Sequence, residues 1–402
     1  MGFDRARSRT HVVLAASVAA AMMVAGCAGS GSDSGAGNDS GKQLLIGENT
    51  IISGTAAASY AITQGFEAYL KYVNDHGGVN GYTFRWEARD NAYSPSQSAT
   101  VQGQLLAEDP FAISVIGTVP VTSAAQVSIN SSSDVPLLVA ADGAQVTSLS
   151  NQLKGGIFGY VPDYTKLGPY DAQFIIETLH DKNFALAFEN DSLAQGAAGA
   201  IANYVTANGA KLAANVPMAA TTTDFTPLAT QLKSSGAKTV LSWANAGVTA
   251  GLQKAAAQIG YTPQWVTPFF ALSQGYLQLA GAAGEGTYID GVSPPPTDTG
   301  DPAVKTFVDA TTAYAKPATT GSGQQGWELA AVLVQGIRQA TANGQALTKE
   351  NFKAAVKQIN TKVEMSQLDY RAQNWGATQA GMFQVKSGQF VSVKDFTKLP
   401  GL

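Results

Sequence analysis

From Gln43 onward, short apolar runs alternate with stretches of helical period, and this alternation occurs twice in succession. Strand-then-helix grammar of this kind requires a mostly parallel sheet covered by helices, so it constrains the fold more than any single motif does. In the first series Leu44 to Ile46 reads as a strand. A helix follows between Tyr60 and Asp75, where Phe66, Tyr69, Leu70 and Val73 share one face before Gly77-Gly78 stops it. Tyr82, Phe84 and Trp86 alternate as a half-buried strand, and Ser94-Pro95 supplies a cap and a first-turn proline for a helix carrying Val101, Leu105 and Leu106. Strands at Phe111 to Ile116 and Leu137 to Ala140 complete it.

The second series repeats that order after Tyr164. It predicts a helix over Pro169 to Leu179, a strand over Phe184 to Phe188, and a helix through Ile201, Tyr204 and Val205. Next come a helix capped by Asp224, a strand over Thr239 to Trp243, and a helix through Leu252, Ala256 and Ile259. Pro294-Pro295-Pro296 breaks the pattern. A helix over Gly326 to Ala342, apolar around most of its circumference, reads as buried. The tail from Leu368 to Val393, turning at Lys386-Ser387-Gly388, reads as a closing antiparallel hairpin. No repeat of fixed period is present.

The front end carries different information. Arg5, Arg7 and Arg9 precede the apolar run Val12 to Val24, so residues 1–26 read as a secretory signal, too short to span a bilayer permanently. Val24-Ala25-Gly26-Cys27 resembles the bacterial lipobox. That resemblance implies lipidation of Cys27, a membrane anchor on the outer face of the cell, and a Gly/Ser-rich tether over 27–42. An ordinary signal with an incidental cysteine is the alternative. Cys27 is the sole cysteine, so no internal disulfide can form. The chain has 402 residues, room for two domains with proper cores. Its net charge of -4 becomes more negative once the three arginines are removed, which excludes nucleic acid as a partner.

Catalytic raw material is scarce. The histidines are His11, His76 and His180, the first inside the signal and the others at predicted helix ends, so neither a triad nor a histidine metal site can be assembled. Asp90, Asp109, Asp142, Asp163 and Asp224 do not pair on any helical face, although spacing alone leaves a glycosidase-type carboxylate pair open. Gly54-Thr55 and Gly117-Thr118 are isolated turns without the Lys-Ser/Thr ending of a phosphate loop. No metal and no cofactor is expected, and no enzyme activity.

Ile52-Ser53-Gly54, the run Asn74-Asp75-His76-Gly77-Gly78-Val79-Asn80-Gly81, and Asp90-Asn91-Ala92-Tyr93-Ser94-Pro95 follow one another along the first series. These stretches resemble the leucine/isoleucine/valine-binding family, the type I periplasmic binding proteins that serve ABC importers. Val115-Ile116-Gly117-Thr118, Val135-Pro136-Leu137-Leu138, Asp224-Phe225 and Gln325-Gly326-Trp327 match in the same order. The resemblance spans about Gln43 to Leu402, and Gly-Gly-Val-Asn-Gly is its most specific piece. It implies two doubly wound, mostly parallel-sheet α/β lobes joined by a three-crossing hinge, with a small-molecule solute held between them and passed to permease subunits. The N-terminal lobe would be 43–161 with 292–361, and the C-terminal lobe 162–291 with 362–402.

Carried over residue by residue, the resemblance places Thr122 and Ser123 where the family offers hydroxyls and helix amides to a ligand carboxylate; plain capping is the other reading. Ala141, Asp142 and Gly143 fall in the next ligand loop. Asp142 is a departure that either accepts from an ammonium or hydroxyl, or caps the following helix. In the second lobe the aromatic expected after Asp191 is replaced by a stretch that includes Gln195. Trp243 and Asn245 stand where a later aromatic belongs, and the ammonium-pairing glutamate falls near Ser273 or Gln274. A buried ammonium without a counter-charge is costly, so either Asp142 supplies the charge or the ligand has no ammonium. Tyr60, Tyr93, Tyr164 and Phe270, with Trp243, are the candidate aromatic lining. The expected solute is a branched or aromatic amino acid or related small carboxylate, and the alternative is a sensing module for a neutral amide or aromatic acid.

Overall fold

The computed structural model describes residues 42–54, 56–219 and 221–402. The signal segment, Cys27 and the tether through Gly41 lie outside the described residues.

Five parallel strands form the first sheet: β1 (Lys42–Thr50), β2 (Tyr82–Asp90), β3 (Ala112–Ile116), β4 (Leu137–Ala140) and β5 (Ile157–Gly159), in the order β2-β1-β3-β4-β5. Its helices are α1 (Tyr60–Asp75), α2 (Pro95–Leu106), α3 (Thr118–Asn130) and α4 (Gly143–Ser150). Every residue of β3 and β4 is buried, as expected of strands covered on both faces.

The second sheet follows α5 (Tyr164–Gln173). It contains β6 (Asn183–Glu189), β7 (Lys211–Met218), β8 (Thr239–Trp243), β9 (Gln264–Thr267) and β10 (Tyr288–Gly291), with α6 (Ser192–Ala207), α7 (Thr226–Ser234), α8 (Ala246–Gln258) and α9 (Gln274–Ala280) between them. The chain then returns to the first lobe with α10 (Pro302–Tyr314), α11 (Gly321–Ala340) and α12 (Lys349–Val356), α11 packing on α1 and β4. A small hairpin, β11 (Asn360–Val363) with β12 (Ser366–Asp369), precedes β13 (Gln379–Lys386) and β14 (Gln389–Lys398), which add antiparallel to the edge of the second sheet beside β10.

Three segments therefore join the sheets, after β5, after β10 and after β12. The first and third run side by side, with Gly159 N donating to Asn374 O (2.8 Å) and Ala377 N to Tyr160 O (3.1 Å). Tyr160 Oη and Ser366 Oγ share a hydrogen bond of 2.8 Å, and Ser366 Oγ donates to the Val292 carbonyl at 3.3 Å, so hydroxyls tie the first and second segments to β12, from which the third departs.

Several expected boundaries shift. The tail is two hairpins rather than one, and Leu368 belongs to β12. Helix α5 starts at Tyr164, capped by Asp163 (Thr165 N to Oδ1, 2.8 Å), with Pro169 inside it and a π-turn over Phe174–Thr178. A proline normally marks a first turn, but here the Asp cap sets the start instead. Helix α11 likewise begins at Gly321, where Thr320 Oγ1 accepts from Gly323 N at 3.2 Å. The cap position of α7 is Phe225 rather than Asp224, which stands one residue earlier with its Oδ1 accepting from Thr226 N at 2.9 Å.

Candidate functional site

The strand orders contain one switch point in each sheet, between β1 and β3 and between β6 and β8, where neighbouring strands send their chains to opposite faces. Crevices of doubly wound sheets open at the carboxyl ends of strands at such points. Two cavities lie there, of about 190 and 210 Å³, and they share Thr118 and Tyr164.

The first cavity is walled mainly by the first lobe, with Ile51 after β1, Tyr93 after β2, Gly117 and Thr118 after β3, Ala141 after β4, and Gln325 on α11. Gly117 is the reason helix α3 begins where it does. Its φ of +95° turns the chain sharply out of β3, and a Cβ there would sit 3.0 Å from Ile51 Cδ1 and from Tyr93 Cε2. Pro120 follows in the first turn, so the open amides at this helix end are those of Thr118 and Val119. Tyr93 takes a left-handed backbone (φ +58°), and its hydroxyl lies 3.3 Å from Thr118 Oγ1.

The second cavity is walled by the second lobe. Trp243 and Phe270 lie edge-on to Tyr164, with ring centroids 6.0 and 5.7 Å away. Glu189, the last residue of β6, is 9% exposed and lines this cavity together with Asp191. Its two oxygens accept from Asn245, Oε2 from the backbone N–H and Oε1 from Nδ2, both at 2.7 Å. Burial pushes the Glu189 carboxyl up, while the Asn245 donors pull it back. Asn245 also caps α8 through Gly247 N (2.9 Å) and Val248 N (3.1 Å). Among the described residues, no lysine, arginine or histidine lines either cavity.

The structure thus brings together Tyr93, Ala141, Tyr164, Trp243, Asn245 and Phe270. Others of the expected set stand elsewhere. Thr122 and Ser123 are in the second turn of α3, not at its amino end, and Thr122 Oγ1 is taken by Gln145 Nε2 at 2.7 Å. Asp142 and Gly143 pack against the first crossing. Tyr60 opens α1 beside the cavity without lining it. Gln195 is exposed, donating to Asn190 Oδ1 at 2.8 Å, and Gln274 is the exposed first residue of α9. His76 and His180 line neither cavity. Among the described residues no three His, Cys, Asp or Glu side chains are grouped to hold a metal ion.

The periplasmic binding protein family model matches residues 45–389. The chain belongs to that family. A Leu/Ile/Val-binding protein homolog of Brucella melitensis is 26% identical over 272 residues, covering 66% of this chain and 72% of the relative. A branched-chain amino acid ABC transporter protein from Thermus thermophilus, solved with bound valine, superposes with a TM-score of 0.77 at 17% identity, over 89% of this chain and 97% of that one. A solute-binding protein of an R. palustris ABC transporter, solved with 4-hydroxybenzoate, gives 0.74 at 19% identity, over 89% and 98%. These two share the fold, the two-lobed type I architecture that the sequence led us to expect.

In this periplasmic binding protein, Thr118, Gln325 and Glu189 are among the lining residues that sequence reasoning missed. Thr118 had a signal, since Gly117-Thr118 with Pro120 two residues on is a strand-to-helix turn as well as a failed phosphate loop. Gln325 had one in the quoted Gln-Gly-Trp. Glu189 had none, because only the parallel pairing of β6 with β8 brings it to Asn245, 56 residues away.

Proposed function

We propose that this protein is the extracytoplasmic solute receptor of an ABC importer, capturing a branched-chain or aromatic amino acid between its lobes and delivering it to a membrane permease without bond chemistry. The lobes are taken as 43–161 with 292–361 and 162–291 with 362–402, and lipidated Cys27 holds the protein to the membrane. The observation that carries the solute reading is the opposition of charge across the cleft. One side offers the amino end of α3, a place for a carboxylate, and the other offers Glu189 and Asp191, with no cation among the described residues lining that cavity, a place for an ammonium. Glu189 thus takes the part sought at Ser273 and Gln274. The Tyr164, Trp243 and Phe270 rings suit an apolar or aromatic side chain.

A second reading, an aromatic acid, rests on the same three rings and on the 4-hydroxybenzoate complex of the R. palustris protein. The carboxylates of Glu189 and Asp191 count against it. A thermal-shift screen separates the two. A bound solute at a hundred times its dissociation constant adds about 2.7 kcal/mol of stability. Leucine or phenylalanine should raise the unfolding temperature while benzoate and 4-hydroxybenzoate do not; the reverse order would reject the amino-acid reading.

A further inference from the structure

Asp142 follows β4 in the first lobe and is 3% exposed. Its Oδ1 accepts from Ala144 N at 3.3 Å, capping α4, and from Tyr164 N at 2.9 Å, the first residue of α5 beyond the crossing. One carboxylate therefore holds the amino ends of two helices on opposite sides of the hinge. Gly143 makes the approach possible: a Cβ there would lie 2.5 Å from Asp163 N and 2.8 Å from the Pro162 carbonyl carbon and Trp375 Cδ1. Gly143 N also donates to Pro162 O at 3.2 Å. Tyr164, on the receiving end, walls both cavities, as Thr118 does.

We propose that Asp142 is a positioning residue for solute binding: its negative charge fixes the Tyr164 backbone, and through it the ring shared by both cavities, so that solute affinity follows the charge state of Asp142. Hydrogen bonds to an ionised acceptor are about twice as strong as those to a neutral one, so a proton on this carboxyl slackens both caps at once. Burial raises the Asp142 carboxyl to about 6, the Tyr164 and Ala144 amides opposing and Asp163 reinforcing the rise. The ionisable groups facing it are Asp163, which caps α5, and the Tyr164 phenol. Its charge therefore changes under mildly acid conditions, where an unburied aspartate would stay ionised. Of the two roles the sequence left open for Asp142, the helix cap is present, and the part proposed for it in binding lies one residue removed from the solute.

The test needs no solute. In protein labelled with 5-fluorotryptophan, the Trp243 resonance, identified by its loss in Trp243→Phe, reports the Tyr164 ring. Between about pH 8 and about pH 5 it should move with a midpoint near 6 in the native chain. In Asp142→Asn, whose amide oxygen still accepts from both N–H groups, the part of that transition centred near 6 should vanish and only a part from Asp290, near 7, should remain, while the distant Trp86 resonance behaves alike in both proteins. Asp142→Ser, another capping residue, replaces the variant if Asn does not fold. A transition that survives unchanged, or none in the native chain, overturns the proposal. A second arm rests on the amino-acid reading. Leucine affinity should weaken about tenfold from pH 7.5 to pH 5, and Asp142→Asn should remove the part of that loss centred near 6. Leucine that binds at neither pH counts against the amino-acid reading alone, and the Trp243 titration still decides the role of Asp142.

Discussion

The two walls of the cleft are built from different material. The first lobe presents backbone and small or neutral side chains, with Gly117, Thr118 and Ala141 at strand ends and the amides of α3 behind them. The second lobe presents large rings and acids, Trp243, Phe270, Glu189 and Asp191. A backbone wall recognises what every member of a solute class shares, such as a carboxylate. A side-chain wall can recognise what distinguishes one solute from another. In this account the first lobe therefore sets the class and the second lobe sets the choice within it.

The largest expected effect lies on the second wall. Glu189→Gln keeps an acceptor for Asn245 Nδ2 but removes the charge facing an ammonium, so amino-acid affinity should fall by roughly 100-fold, about 3 kcal/mol, in calorimetric titration. An unchanged affinity would erase the difference between the walls.

Next is a pH effect that the lobes share in kind but not in consequence. Each buries a pair of acids, Glu48 with Glu67 in the first and Asp171 with Asp290 in the second. Burial raises all four. Glu67 Oε2 has an outlet in the Tyr314 hydroxyl at 2.8 Å. Asp290 Oδ1 instead accepts from Phe269 N at 2.7 Å, at the start of the turn that carries Phe270 into the cavity. Burial lifts Asp290 to about 7, above its unfolded value, so the folded state binds the extra proton. Its contribution is complete below the unfolded pKa and is lost as pH rises through about 7. Unfolding free energy should thus be higher at pH 5 than at pH 8 by on the order of 2 kcal/mol from this group, and Asp290→Asn should flatten that slope in denaturant titrations.

Gly117→Ala sharpens the comparison from the first wall. A methyl group at φ +95°, 3.0 Å from Ile51 and Tyr93, should cost about 1–2 kcal/mol of stability and weaken binding through the displaced start of α3. The smallest effects belong to residues that resemblance alone nominated. Thr122→Ala and Gln274→Ala should change solute affinity by less than about twofold, since neither side chain lines a cavity.

The same contrast explains what the sequence discloses. Strand and helix alternation is a local signal, and β3, β4, β6 and β8 stand where their apolar runs are, because both faces of each are covered. Helix starts are less legible. Thr118 opens α3 four residues ahead of Thr122 because a glycine with positive φ turned the chain, and Tyr164 opens α5 because Asp163 capped it before Pro169. The aromatic half of the second wall was readable from residue type. Its acidic half was not, since Glu189 ends an ordinary apolar strand and acquires meaning only beside Asn245.

The most direct test of the central claim compares each amino acid with its deaminated twin by calorimetry: leucine with 4-methylpentanoate, and phenylalanine with 3-phenylpropanoate. An ammonium seated at Glu189 predicts that at least one amino acid binds and that its twin loses about 100-fold or more in affinity. Twins that bind as tightly as the amino acids, or more tightly, would contradict the account.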